Sequence, residues 1–151
     1  MKPAEPLALN HSWPLFERGL RFDLGCPDSP DLTPAGTDDA WLTAHGIGRW
    51  SCDLESQSLN WSAGVFRLFD WQPDRPLERL GVLPLYRSES LSAVERLRAY
   101  AIRHRRGFTI DAQIQAPGGS RWMRIVGAPQ CRGKHVVALH GLKFDVSGEY
   151  R

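Results

Sequence analysis

Apolar and polar positions change period several times along this chain, and each change marks an element. Ile47, Arg49 and Ser51 alternate with Gly48, Trp50 and Cys52, a period of two that predicts a strand. Glu55-Ser56-Gln57-Ser58 is a polar turn, and Leu59-Asn60-Trp61-Ser62 is a second short strand, so the two form a hairpin. Val65, Phe66, Leu68 and Phe69 then predict a short helix over Ala63–Trp71 with Ser62 as its cap. Residues 72–85 contain Pro73, Pro76 and Pro84 and read as loop with one helical turn. Leu91, Val94, Leu97, Ala101 and His104 recur at three- and four-residue spacing, which predicts one face of a long helix over Ser88–Gly107 that Gly107 stops. Phe108, Ile110, Ala112 and Ile114 restore the period of two through Ala116. After the turn Pro117-Gly118-Gly119-Ser120, strands over Arg121–Gln130 and Lys134–Val146 complete a meander. The order predicts an α+β domain: a five-stranded antiparallel sheet with short helices and one long helix on one face.

The first 40 residues differ in character. They hold six of the eleven prolines, yet also Trp13, Leu15, Phe16, Leu20, Phe22 and Leu24. That is too apolar for a solvated tail. The reading is a partly ordered N-terminal arm over residues 1–40, packed on the domain or on a partner chain. It includes a short helix around Pro14–Arg21, with Ser12 as cap and Pro14 in the first turn. A lead-in helix follows near Trp41, capped by Thr37 or Asp38 and ended by Gly46. The domain proper spans 41–147, and 148–151 begin a C-terminal linker.

Composition refines the picture. At 151 residues and 42% hydrophobic, the chain builds one core of ordinary size. It has no apolar run long enough to span a membrane and no signal-peptide core near its start, which argues for a cytoplasmic protein away from membranes. Cys26, Cys52 and Cys131 are odd in number and widely spaced, which suits free thiols better than disulfides or zinc. Residues 1–40 carry a net charge of −4 and residues 41–151 a net +6. The basic residues are scattered apart from Arg103-His104-Arg105-Arg106, which reads as a solvated helix end, so the charge pattern argues against nucleic-acid binding.

Nothing in the chain has the layout of a catalytic centre. There is no Ser-His-Asp signature, no glycine-rich phosphate loop and no metal motif, so the expectation is a protein that is not an enzyme. His135 and His140 are five apart on a strand and project to opposite faces, so they do not form a metal pair.

Four motifs in order carry a resemblance. Gly48-Arg49-Trp50-Ser51-Cys52-Asp53 opens the first strand, and Asn60-Trp61-Ser62 precedes Arg67-Leu68-Phe69-Asp70-Trp71. Gly118-Gly119-Ser120-Arg121-Trp122 follows the hairpin, and Asp145-Val146-Ser147 closes the last strand, with Gly141 near its middle. This order resembles the PAS family, in the subclass of bacterial sensor kinases and diguanylate cyclases. It covers about residues 44–147. The chain departs before the long helix, where many relatives have His-Pro-x-Asp and this chain has Tyr86-Arg87-Ser88-Glu89.

The resemblance implies a sensory module that binds a small ligand or senses state, and signals through a homodimer to an output domain or kinase partner of a two-component system. The other reading is a ligand-free module for dimerisation or protein contact. A PAS-like sheet under helices encloses a cavity, and the candidates for its wall are Trp50, Trp61, Phe66, Phe69, Leu97, Ala101, His104 and Trp122. The resemblance assigns signal transmission to Asp145-Val146-Ser147; Asp53 and Asp145 stand near the ends of the first and last strands, where Arg49, Arg121 or Arg124 could pair with either, so the transmission candidates are Asp53, Arg121, Asp145 and Ser147. The cofactor stays open. Some PAS domains ligate haem through an inward histidine, but His104 reads as a helix-end histidine bonded to carbonyls or water. No cysteine stands in the Asn-Cys-Arg-Phe-Leu pattern of flavin relatives, which argues against an adduct at Cys52 or Cys131.

Overall fold

A computed structural model describes residues 8–22 and 39–150. In chain order it has β1 (Asn10–Pro14), α1 (Arg18–Arg21), α2 (Asp39–Ala44), β2 (Ile47–Asp53), β3 (Leu59–Trp61) and α3 (Ala63–Phe69). These are followed by α4 (Arg79–Val82), the long helix α5 (Ser88–His104), β4 (Arg106–Ala116), β5 (Gly119–Arg132) and β6 (His135–Asp145). The strands form one antiparallel sheet in the order β1-β4-β5-β6-β2-β3.

The sheet therefore has six strands where the sequence predicts five. The extra strand is β1, which pairs with the β4 edge in the register Asn10↔Ile110 to Pro14↔Arg106. Ser12 is thus a strand residue and not a helix cap; its hydroxyl accepts from Arg106 Nε at 2.8 Å. Pairing there satisfies an edge that would otherwise be open to other chains. Thr37 and Asp38, expected as caps of α2, lie outside the described residues, as do Pro27, Pro30 and Pro34.

Strand alternation divides the core in two. Toward helices α3–α5 the sheet presents Trp50, Cys52, Trp61, Phe108, Ile110, Ala112, Ile114, Met123, Ile125 and Leu139. On the opposite face Ile47, Val126, Ala128 and Leu142 are covered by Trp13, Phe22 and Leu42. The arm thus packs on its own domain, with Trp13 fully buried and its indole N–H donating to Thr109 Oγ1 at 3.0 Å.

Two terminators differ from expectation. Helix α5 ends at His104 because Arg105 adopts a left-handed conformation (φ 53°), and Gly107 already belongs to β4. Gly107 serves packing instead: a Cβ there would lie 2.0 Å from the Trp13 ring. Ser62 stands at the N-cap of α3 but makes no side-chain cap bond; its hydroxyl accepts from Arg49 N at 2.8 Å.

Candidate functional site

The candidate site is the space between the inner sheet face, α4 and the first half of α5. Its floor exists because Gly127 carries no side chain. A Cβ there would meet the Phe108 ring at 2.5 Å and the Trp50 ring at 2.8 Å, so both rings lie down on the sheet. Cys52, Leu59, Trp61, Ile125 and Leu139 extend the apolar floor, and Val82, Leu83 and Val94 close it from the helix side. The open volume is about 70 Å³. This is far below the roughly 300–1,000 Å³ of a site for a drug-sized ligand.

Into this apolar space project charged groups. Lys143 is only 8% exposed. It follows Leu139 and Gly141 in the inward phase of β6, and so lies among aromatic rings and not in water. Its ammonium stands 5.1 Å from the Trp50 ring centroid, 5.3 Å from Phe69 and 5.8 Å from Trp61. It donates to the Tyr86 hydroxyl at 3.4 Å. Burial is the main cause that pulls Lys143 down to about 7; nearby Cys52 opposes this and Arg79 adds to it. Burial also pushes the Tyr86 phenol up.

From the helix side come Arg79, Glu95 and Arg98. Arg79 and Glu95 form a close ion pair. Among the described residues Arg98 Nη2 is buried without a hydrogen-bond partner, as is the indole nitrogen of Trp61. Buried polar atoms are rarely left so, since each forfeits its solvation.

The sequence-derived candidates divide between two places. Trp50 and Trp61 line the cavity, and Phe69 stacks on Trp61 at 4.8 Å between centroids. Phe66 meets Trp61 edge-on, Ala101 is buried in the same core, and Leu97 packs against it, without lining the cavity. His104 is exposed and tilts against Tyr100 outside the cavity, and Trp122 lies on the outer face, stacked on Tyr150 at 4.2 Å.

The transmission candidates are likewise separated. Strands β2 and β6 run antiparallel with Asp53 opposite Ala138, which puts Asp53 and Asp145 at opposite ends of the pair. Asp53 closes a turn, accepting from Glu55 N and Ser56 N at 2.9 Å each, and those Ser56 bonds hold its carboxyl below the usual range. Arg121 pairs with Asp70 at 2.9 Å and donates to the Arg67 and Leu68 carbonyls at the end of α3. Asp145 accepts from Ser147 N at 2.7 Å, and Ser147 Oγ accepts from Trp122 N at 2.9 Å.

Those last bonds belong to a cluster where the chain leaves the sheet. Asp111 is 2% exposed and holds Arg124 through two bonds, Nε at 2.8 Å and Nη2 at 2.9 Å. The Tyr150 hydroxyl donates to the same carboxylate.

Sequence reasoning missed Lys143, Tyr86, Arg79 and Arg98. The signal for Lys143 was present: it falls in phase with Leu139 on a strand whose inward face is buried. For Tyr86 and Arg79 no periodic signal exists, since the segment around α4 is irregular, whereas Arg98 falls on α5 four residues after Val94, in phase with its apolar face.

No family model and no curated protein matches the sequence. Solved structures do. The N-terminal domain of a diguanylate cyclase with PAS/PAC sensor from Marinobacter aquaeolei is similar over 70% of this chain and 99% of its own, with TM-score 0.62 and 17% identity. A sensory box histidine kinase/response regulator from Burkholderia thailandensis is similar over 73% of this chain and 84% of its own, with TM-score 0.62 and 13% identity. A PAS domain from Colwellia psychrerythraea is similar over 72% and 93%, with TM-score 0.59 and 13% identity. This chain has the PAS fold, with one strand added at the β4 edge.

Proposed function

We propose that this protein is a non-catalytic sensory module of the cytoplasm that holds a small ligand between its sheet and helices α4 and α5. The observation that carries the reading is the set of polar groups around the cavity: Lys143 among three rings with the Tyr86 hydroxyl as its acceptor, and Arg98 Nη2 and the Trp61 indole nitrogen, both buried without partners among the described residues. A cavity kept only for packing has no use for such groups, which cost stability unless something pairs with them. The solved structures of similar fold include parts of a diguanylate cyclase and a histidine kinase, which supports a signalling role toward an output domain or partner. Among the described residues no helix is long and apolar enough to cross a membrane.

In this reading occupancy changes the packing of α4 and α5. The change reaches the chain exit through the sheet to Asp145, Ser147 and the Asp111–Arg124–Tyr150 cluster. Output passes through a homodimer, for which the arm offers Phe16 (87% exposed) and Leu20 (72% exposed). Native mass spectrometry of the purified protein, with a thermal-shift screen of small metabolites, tests the proposal. A co-purified molecule or a saturable stabiliser supports it; a molecule-free protein that no compound stabilises refutes it.

The second reading is a ligand-free dimerisation module, favoured by the small open volume and by the same exposed Phe16 and Leu20. It expects a dimer with no response to any small molecule.

A further inference from the structure

The charges around the cavity do not balance. Arg79, Arg98 and Lys143 reach it, against one carboxylate, Glu95. Glu95 is engaged by Arg79. Among the described residues Arg98 has no ion pair and Lys143 touches only a phenol and the faces of aromatic rings. Ring faces attract a cation but carry no counter-charge. A buried cation without an anion is costly, and the nearby Arg79 adds to the cost of charging Lys143.

We propose that the cavity takes a compact anion, a small carboxylate or planar oxyanion, with Lys143 and Arg98 as its counter-charges. This rests on the reading of the cavity as a ligand site and names the ligand's class. Size favours a compact ligand: about 70 Å³ is a small fraction of the roughly 300–1,000 Å³ of a site for a drug-sized ligand. Formate, acetate, nitrate and bicarbonate are compact on that scale; aromatic acids and nucleotides are not. The two donor groups suit the class. A guanidinium donates in a fixed fork that matches a carboxylate edge, and an ammonium adds a point charge. The Tyr86 hydroxyl and the Trp61 indole N–H supply neutral donors at the same cavity.

Bound anion holds the ammonium charged. Facing Lys143 are Cys52 from β2, Tyr86 and Arg79 from the segment around α4, and Glu95 and Arg98 from α5. With burial drawing Lys143 toward neutrality, anion affinity falls as pH rises above about 7.

The test titrates the full chain with sodium formate, acetate and nitrate, ionic strength held constant by sodium gluconate, whose anion is too large for the cavity. Acetamide and methylammonium serve as neutral and cationic controls. Tryptophan fluorescence and Tm are read. The expected result is a saturable change with acetate or formate, a Tm rise of about 5 °C near saturation, and none with acetamide. Lys143→Met and Arg98→Gln each weaken binding by about tenfold or more. Lys143→Met also removes the pH dependence. Arg98→Gln, at a half-buried helix position, carries the test should Lys143→Met fail to fold. Anion binding unchanged in both variants overturns the proposal. Binding of acetamide or methylammonium without the anions overturns it too, while leaving the ligand site itself intact. No binding by any of the probes overturns this proposal, and a silent metabolite screen beside it overturns the parent reading as well.

Discussion

Lys143 lies diagonally across from Trp50 on neighbouring strands, with its ammonium 5.1 Å from the indole centroid and its chain buried to 8% exposure. A charge in that place works against folding. In the unfolded chain Lys143 keeps its proton up to about 10.5, and in the folded chain it loses it near 7. Below about pH 7 the folded state bears the full penalty, roughly 3–5 kcal/mol. The penalty is shed as pH rises from about 7 toward 10.5. Lys143→Met is therefore expected to be more stable than the parent at pH 7, with the difference shrinking by pH 10. Urea denaturation at pH 7, 8.5 and 10 measures it. A variant less stable than the parent throughout would show that the lysine is already compensated within the chain.

Trp13 and Gly107 form the joint between the arm and the sheet. The indole occupies the space a side chain at 107 would need. Gly107→Val is expected to expel Trp13 and cost about 2–4 kcal/mol, and Trp13→Ala to cost about 3–5 kcal/mol. The double variant is expected to fall well short of the sum, because both lose the same contact. Additive losses in denaturant titrations would contradict the joint.

Asp111 anchors the chain exit. Asp111→Ala leaves Arg124 without its bidentate partner and is expected to cost about 3 kcal/mol. Tyr150→Phe is expected to cost about 1 kcal/mol, since it removes one bond to a charged acceptor. Hydrogen exchange should show faster opening at Trp122 and Ser147 in both. Unchanged protection there would separate the exit from this cluster.

Among the described residues of the arm Phe16 and Leu20 are the most exposed large apolar side chains, on the helical turns that follow β1. If they form the dimer contact, Phe16→Ser with Leu20→Ser yields a monomer in light scattering with Tm changed by no more than a few degrees. Deleting residues 1–22 is a harsher change, because it strips Trp13 and Phe22 from the outer face. Its expected outcome is loss of stability whatever the oligomeric state.

Much of the fold was legible because periodicity reports which face of an element is buried. The hairpin of β2 and β3, helix α3, helix α5 and the three-stranded meander each announce themselves by a change of period. Strand β1 did not. Five residues that end in a proline, His11-Ser12-Trp13 among them, carry too short a pattern, and pairing with β4 is a long-range choice that local propensity does not encode. The site was legible only on its apolar side. Trp50, Trp61 and Phe69 stood out as aromatics in strand or helix phase. Lys143 was passed over because a lysine defaults to solvent, and Arg79 and Arg98 because their direction depends on how α4 and α5 sit on the sheet. His104, named both as a wall candidate and as a helix-end histidine, stands exposed at the last residue of α5 outside the cavity.

The most direct test of the account is the position of the six tryptophan indole N–H signals in a two-dimensional nitrogen–proton spectrum as acetate, formate, acetamide and methylammonium are added in turn. Trp50 and Trp61 line the cavity, whereas Trp13 and Trp122 belong to the opposite face of the sheet. The Trp50 and Trp61 signals are expected to move saturably with the small anions while Trp13 and Trp122 stay fixed. Cavity signals that stay fixed with every probe, or movement confined to Trp13 and Trp122, would contradict it.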